Sequence, residues 1–222
     1  MRGFTLVEML VVLVIIGIVT TIALVGQSTF NKSLMLTNTA YTVALSIREM
    51  QSLGLSSRKF TLQGQNVQNP GYGVHLSTAT PGSYILFADT RATQGIPSNC
   101  ATAVGTVGAP DHKPGNCLYD SIGASVDGIV RTYNFGRGFK IDHFCGKAAT
   151  TGDTICSGSV LSELDISFLR SNTETIINGK RSSGWVALTS AEIYIKEPED
   201  GNMRAICVSS IGQVSVTGDD CL

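Results

Sequence analysis

The sequence predicts an α+β fold. One long N-terminal α-helix, with a membrane half and an amphipathic half, packs on an antiparallel β-sheet or β-sandwich globular domain. Three observations carry this reading. Met9 to Gly26 is an uncharged run of eighteen residues, about 27 Å as a helix, which nearly spans a bilayer's hydrocarbon. Leu36, Ala40, Val43, Ile47 and Met50 then recur at spacings of four and three, one apolar stripe on a helix. Beyond Lys59, short apolar or alternating runs are separated by Gly, Pro, Asn and Ser clusters, the texture of antiparallel strands rather than βαβ units.

The elements follow in order. Val and Ile dominate the apolar run, and Gly17 and Gly26 are its soft points, because glycine lowers helix propensity. Thr39, Ser46, Arg48, Glu49 and Gln51 lie off the amphipathic stripe, and Gly54 is a plausible stop. Strands are expected at 59–62, 72–76, 83–88, 130–135, 139–144, 163–169, 174–177, 184–188, 191–196, 204–209 and 213–217. Asp200-Gly201 reads as a hairpin turn and Asn178-Gly179 as a second turn. Residues 90–120, rich in Gly, Pro, Ala and Thr, read as a long disulfide-stapled surface excursion.

Of 222 residues, 43% are hydrophobic and 15% charged, which suits an apolar segment joined to a β-rich domain. The formal net charge of −1 gives no global attraction to a polyanion. The six cysteines, Cys100, Cys117, Cys145, Cys156, Cys207 and Cys221, form no Cys-x-x-Cys pair, and no metal site is expected. An even number beyond an N-terminal anchor reads as disulfides in an oxidising compartment. Six cysteines allow fifteen connectivities. The sequence-local set Cys100–Cys117, Cys145–Cys156 and Cys207–Cys221 is preferred; reduced buried thiols are the alternative.

Catalysis needs convergent groups, and none form a recognisable set. His75, His112 and His143 lack a partner motif. No serine sits in a Gly-x-Ser-x-Gly elbow, and no phosphate loop or His-Glu-x-x-His helix occurs. The acidic groups Glu197-Pro198-Glu199-Asp200 and Asp219-Asp220 lack calcium-ligand spacing and read as solvated turns. The expectation is a non-enzyme without a cofactor.

The most specific signal is Gly3-Phe4-Thr5-Leu6-Val7-Glu8 ahead of the apolar run. A charge at mid-bilayer costs roughly 2.5–3.5 kcal/mol, so Glu8 calls for a partner. Cleavage after Gly3 would expose an amine on Phe4 at the same depth, one helical turn from Glu8 and within reach of Glu8 on a staggered neighbour. These six residues resemble the signal of type IV pilins and type II secretion pseudopilins. The resemblance implies a 1–3 leader, removal by a prepilin peptidase between Gly3 and Phe4, N-methylation of Phe4, and Glu8 guiding filament assembly. It also implies a pilin fold, with a 4–58 helix (4–26 transmembrane) and a 59–222 β-rich globular domain. Partners would be other pilins or pseudopilins, the peptidase and an inner-membrane assembly platform. The protein would sit first in the inner membrane as a single pass, its domain extracytoplasmic. It would then enter a periplasmic pseudopilus or a surface pilus.

An ordinary secretory signal would need a small-x-small cleavage site, which Leu24-Val25-Gly26 does not supply. A simple anchor for an extracytoplasmic β domain accounts for the run but not for Glu8 or Gly3-Phe4. The layout of helix, strand and Gly-centred final turn looks like the H-type pseudopilins and FimT/FimU-like minor pilins. Some of the latter bind DNA through basic residues after that turn. Here Gly212 to Thr217 carries no Arg or Lys, and Asp219-Asp220 follows, which opposes phosphate contact. Arg131, Arg137 and Lys140 form another basic group around Gly136 and Gly138, whose default is a solvated hairpin.

Overall fold

A computed structural model describes residues 3–56, 59–101, 104–105, 113–121, 126–170, 174–198, 201–218 and 221, excluding the side chains of 23–30 and 65. Helix α1 runs from Leu6 to Leu55, fifty residues without a break. Its first half meets no sheet: every described hydrophobic side chain from Leu6 to Ile22 is exposed. Among the described residues no helix is long and apolar enough to cross a membrane. The described apolar run ends at Ile22, four residues before Gly26.

The second half is buried along the expected stripe. Leu36, Ala40, Val43, Ala44, Ile47 and Met50 are all 6% exposed or less, and they join one core with the sheet. Removing such side chains from water is the main stabilising term, at about 25 cal/mol per Å². Off-stripe residues also work: Ser46 Oγ bonds the Tyr84 hydroxyl at 2.9 Å. Arg48 donates to the Val214 carbonyl at 2.9 Å and Gln51 to the Gly212 carbonyl at 3.2 Å.

Gly54 is not the helix stop. The helix continues to Leu55, and Ser56 closes it by donating its N–H to the carbonyls of Ser52 and Leu53. Glycine is needed at 54 for another reason: a Cβ there would lie 2.6 Å from the Phe168 carbonyl oxygen. The helix crosses the sheet at that point.

Twelve strands follow among the described residues. β1 (Phe60–Leu62) and β2 (Gln65–Val67) form a separate hairpin. The others are β3 (Gly71–Ser77), β4 (Ser83–Asp89), β5 (Gly128–Asn134), β6 (Lys140–Ala148), β7 (Thr154–Cys156), β8 (Glu163–Phe168), β9 (Thr175–Arg181), β10 (Gly184–Lys196), β11 (Met203–Ser209) and β12 (Val214–Thr217). These ten make one sheet in the order β12-β11-β10-β9-β8-β3-β4-β5, with β6 pairing β10 and β7. All ladders are antiparallel, as the sequence texture indicated.

β10 holds the sheet together. On one edge, Gly184–Leu188 pair with β9 and Ser190–Lys196 with β11; along the opposite edge, Leu188–Lys196 pair with β6. A register shift between Leu188 and Ser190 interrupts the β6 ladder. The expected pair of strands 184–188 and 191–196 is therefore one strand with an irregularity, not two.

Asn178-Gly179 is not a turn. Both residues lie inside β9, paired with Asp165 and Leu164 on one side and Ala187 and Val186 on the other. Gly179 makes room for neighbours: a Cβ there would meet Leu161 at 2.8 Å. The 197–202 connection does close a hairpin, with Glu197 N–H donating to the Asn202 carbonyl at 3.0 Å. Asp200 itself lies outside the described residues.

The larger correction concerns residues 90–120. Its first part is on the surface as expected, with Ala92, Thr93, Gly95, Ile96 and Ser98 exposed, and Cys100–Cys117 staples it, but residues 115–120 are buried. Cys100, Val104, Cys117 and Leu118 are fully buried, and Tyr119 is nearly so. Cys100, Val104 and Cys117 cluster with Leu169 and Ile176 on the sheet face opposite α1. Tyr119 lies against His75 and Phe87, with ring centroids 4.7 and 5.4 Å apart. The sheet is thus covered on both faces here, by the helix and by this segment. Polar turn composition concealed the burial because carboxylates, not apolar side chains, satisfy much of the segment's backbone.

All six cysteines are paired: Cys100–Cys117, Cys145–Cys156 and Cys207–Cys221. The second bridge joins residues directly opposite each other on β6 and β7. Closing loops of this size contributes about 3 kcal/mol each in the chain-entropy account.

Candidate functional site

The N-terminal motif folds into a reciprocal helix cap. Thr5 is the N-cap, with extended backbone (φ −81°, ψ 150°). Its hydroxyl accepts the Glu8 N–H at 3.3 Å, and its own N–H and hydroxyl donate to Glu8 Oε2 at 3.3 and 3.2 Å. This is a capping box: it satisfies donors that the helix start leaves open, and it places a carboxylate where the helix dipole favours one. The signal for it is local: Thr5-Leu6-Val7-Glu8 has the capping-box spacing.

Gly3 and Phe4 precede the cap in extended, exposed chain, with Phe4 75% exposed. Glu8 is exposed as well, so its charge is available to a neighbour as well as to Thr5.

The other residues considered from sequence are dispersed. His75 Nδ1 lies 2.6 Å from Asp165 Oδ1 in the buried layer beneath Tyr119. Burial pushes the Asp165 carboxyl above the usual range although His75 opposes it. His143 stacks on Tyr194 at 4.2 Å and bonds Asp142 at 2.9 Å. That bond, with Lys196 adding to it, holds Asp142 below its ordinary value. His112, Glu199, Asp200, Asp219 and Asp220 lie outside the described residues. Glu197 is buried and bonded to Asn202. Among the described residues, no group of three His, Cys, Asp or Glu side chains could hold a metal ion.

The basic group is spread out too. Arg131 donates to the Tyr133 hydroxyl on β5, and Arg137 reaches the Met35 sulfur of α1 at 3.1 Å. The final turn exposes Ile211 (76%) just before Gly212, and no Arg or Lys follows it up to Thr217.

Sequence reasoning missed a second constellation. Asp89, Asp120, Asp127 and Asp165 are all 2% exposed or less. They are far apart in the chain and meet only because β4, β5 and β8 run under the 90–127 segment. No local spacing signals that.

Comparison with known proteins adds one match. Residues 1–24 fit the family model of the prokaryotic N-terminal methylation motif. No curated protein and no solved structure matches the chain. The match covers the capped helix start and all of the described apolar run, and it ends before the sheet-bound half of α1. The chain therefore carries a type IV pilin-like signal for N-terminal processing on an α+β scaffold.

Proposed function

We propose that this protein is a minor pilin or pseudopilin, a structural subunit of a type IV pilus or a type II secretion pseudopilus. The observation that carries the reading is the methylation-motif match at residues 1–24. An exposed Gly3-Phe4 bond and a capped apolar helix half that no sheet covers fit it. A prepilin peptidase cuts between Gly3 and Phe4 and Phe4 is N-methylated. Before assembly, 4–26 spans the inner membrane with the domain outside the cytoplasm. On assembly the apolar halves move from lipid into contact with other subunits. Contact area supplies most of the affinity, and the pairing of Glu8 with a neighbour's Phe4 amine sets the register. The general layout agrees with H-type pseudopilins and FimT/FimU-like minor pilins, and it is a role in assembly rather than in catalysis. The engaged basic residues and the Ile211-tipped turn give no support to DNA uptake.

Mass spectrometry of the N-terminus of membrane-extracted protein tests this. The expected mature chain begins at N-methylated Phe4. A chain retaining Met1, or one starting near Ser28, would overturn it in favour of a tethered β domain or a secreted one.

A further inference from the structure

A cavity of about 400 Å³ opens between the second half of α1 and the connection from β5 to β6. Tyr84 of β4 lies at its base, with Tyr133 of β5 stacked on it at 5.1 Å between centroids and Phe135 tilted against it at 5.5 Å. Tyr133 and Phe135 stay partly exposed, so the floor offers aromatic surface to an occupant. From α1, Asn38 and Thr42 line the cavity one turn apart, and Asn134 and Arg137 line it from the connection.

The polar groups around these rings are uncommitted. Asn38 and Asn134 are exposed, and their side-chain amides bond no described residue. Each amide carries both donors and an acceptor. Arg137 Nη1 lies 3.1 Å from Met35 Sδ, the one side-chain bond it makes among the described residues, and a thioether is a weak acceptor. Arg131 is held on the Tyr133 hydroxyl, which leaves Arg137 as the cation open to an occupant. No acidic side chain lines the cavity. The backbone adds an independent sign. Arg137 has φ 57°, between Gly136 and Gly138, in the left-handed region that favours glycine. A long side chain kept in such backbone marks a functional constraint.

We propose that this cavity binds an acidic sugar, one uronic acid ring. The pyranose has an apolar C–H face for the Tyr133 and Phe135 rings. Its adjacent hydroxyls both donate and accept, which matches the two amides. Its carboxylate pairs with the Arg137 fork in place of the Met35 sulfur. A neutral sugar leaves the guanidinium without an anion, and an aromatic acid leaves both amides without hydroxyls. The volume is at the small end for a ligand site, which suits a single ring.

Saturation-transfer NMR on the full chain in phosphocholine micelles, which carry no sugar, tests it. Methyl glucuronide is the probe, methyl glucoside and phenylacetate are the comparisons, and protein-free micelles give the background. Methyl glucuronide should bind about tenfold more tightly than either comparison compound. Arg137→Gln should bring it down to the level of methyl glucoside. The double variant Asn38→Ala/Asn134→Ala should weaken both sugars alike. If Arg137→Gln does not fold, Arg137→Lys replaces it: that variant keeps the charge, loses the paired fork, and should weaken the glucuronide alone. The proposal falls if neither sugar shows transfer at tens of millimolar, or if either comparison compound matches the glucuronide. It falls too if the Arg137 variant binds the glucuronide as the wild type does.

Discussion

Glu8 donates its main-chain N–H to the Thr5 hydroxyl and accepts the Thr5 N–H on its own carboxylate, both at 3.3 Å. One side chain therefore has two separable properties, a capping acceptor and a negative charge. Glutamine keeps the first and removes the second, since Gln serves in a capping box as Glu does.

That separation gives the sharpest test of the assembly role. Glu8→Gln should leave membrane insertion and helix content unchanged and abolish incorporation into filaments, measured by immunoblot of the sheared filament fraction. Glu8→Ala should do the same and also lose about 1 kcal/mol of helix-start stability. Wild-type incorporation of the Gln variant would remove the charge from the mechanism.

Gly54 sets two effects against each other. Alanine there gains about 1 kcal/mol of helix propensity, but its Cβ would sit 2.6 Å from the Phe168 carbonyl oxygen, which is backbone and cannot step aside. Gly54→Ala should destabilise the domain despite the better helix former. A chemical-denaturation midpoint at or above wild type would show that α1 can lift off β8 at no cost.

Tyr84 provides an alkaline marker. Burial raises its hydroxyl to about 12, with the Ser46 bond opposing. Its unfolded value is near 10, so stability falls as pH rises above 10 and the loss is complete above 12. Tyr84→Phe should remove that loss and, below pH 10, cost about 1 kcal/mol for the bond to Ser46. Thermal melts at pH 8 and pH 11 compare the two. A wild-type drop no larger than the variant's would count against the assignment.

The Cys100–Cys117 bridge staples the covering segment, and both sulfurs are fully buried. Replacing both by alanine should cost about 3 kcal/mol from the released loop, read as a lower denaturation midpoint. A midpoint unchanged from wild type would show that the bridge does not stabilise the fold.

Periodicity made the helix and most strands readable, because one apolar stripe or alternation reports one buried face. It predicted the buried Leu36 to Met50 stripe and placed all eleven later runs on observed strands with shifted ends, two of them on β10. It failed where long-range packing decides. Asn178-Gly179 has turn chemistry, yet two flanking strands hold it straight. Thr154–Cys156 is a strand only because Cys145 lies opposite. The 90–120 segment is polar because its burial is mediated by Asp89, Asp120 and Asp127, whose meeting depends on strand order. The N-terminal site was legible because its chemistry is contiguous; the carboxylate cluster was not.

Helix α1 passes from exposed apolar residues to a domain core without a break over fifty residues, about 75 Å. A rod of that kind transmits displacement. Whatever draws on the Leu6–Ile22 half moves Ile47 and Met50 with it, and through them a sheet that β10 joins from β5 to β12. The same helix that begins in exposed apolar residues thus ends against the final β11–β12 turn, where Arg48 and Gln51 bond the carbonyls of Val214 and Gly212.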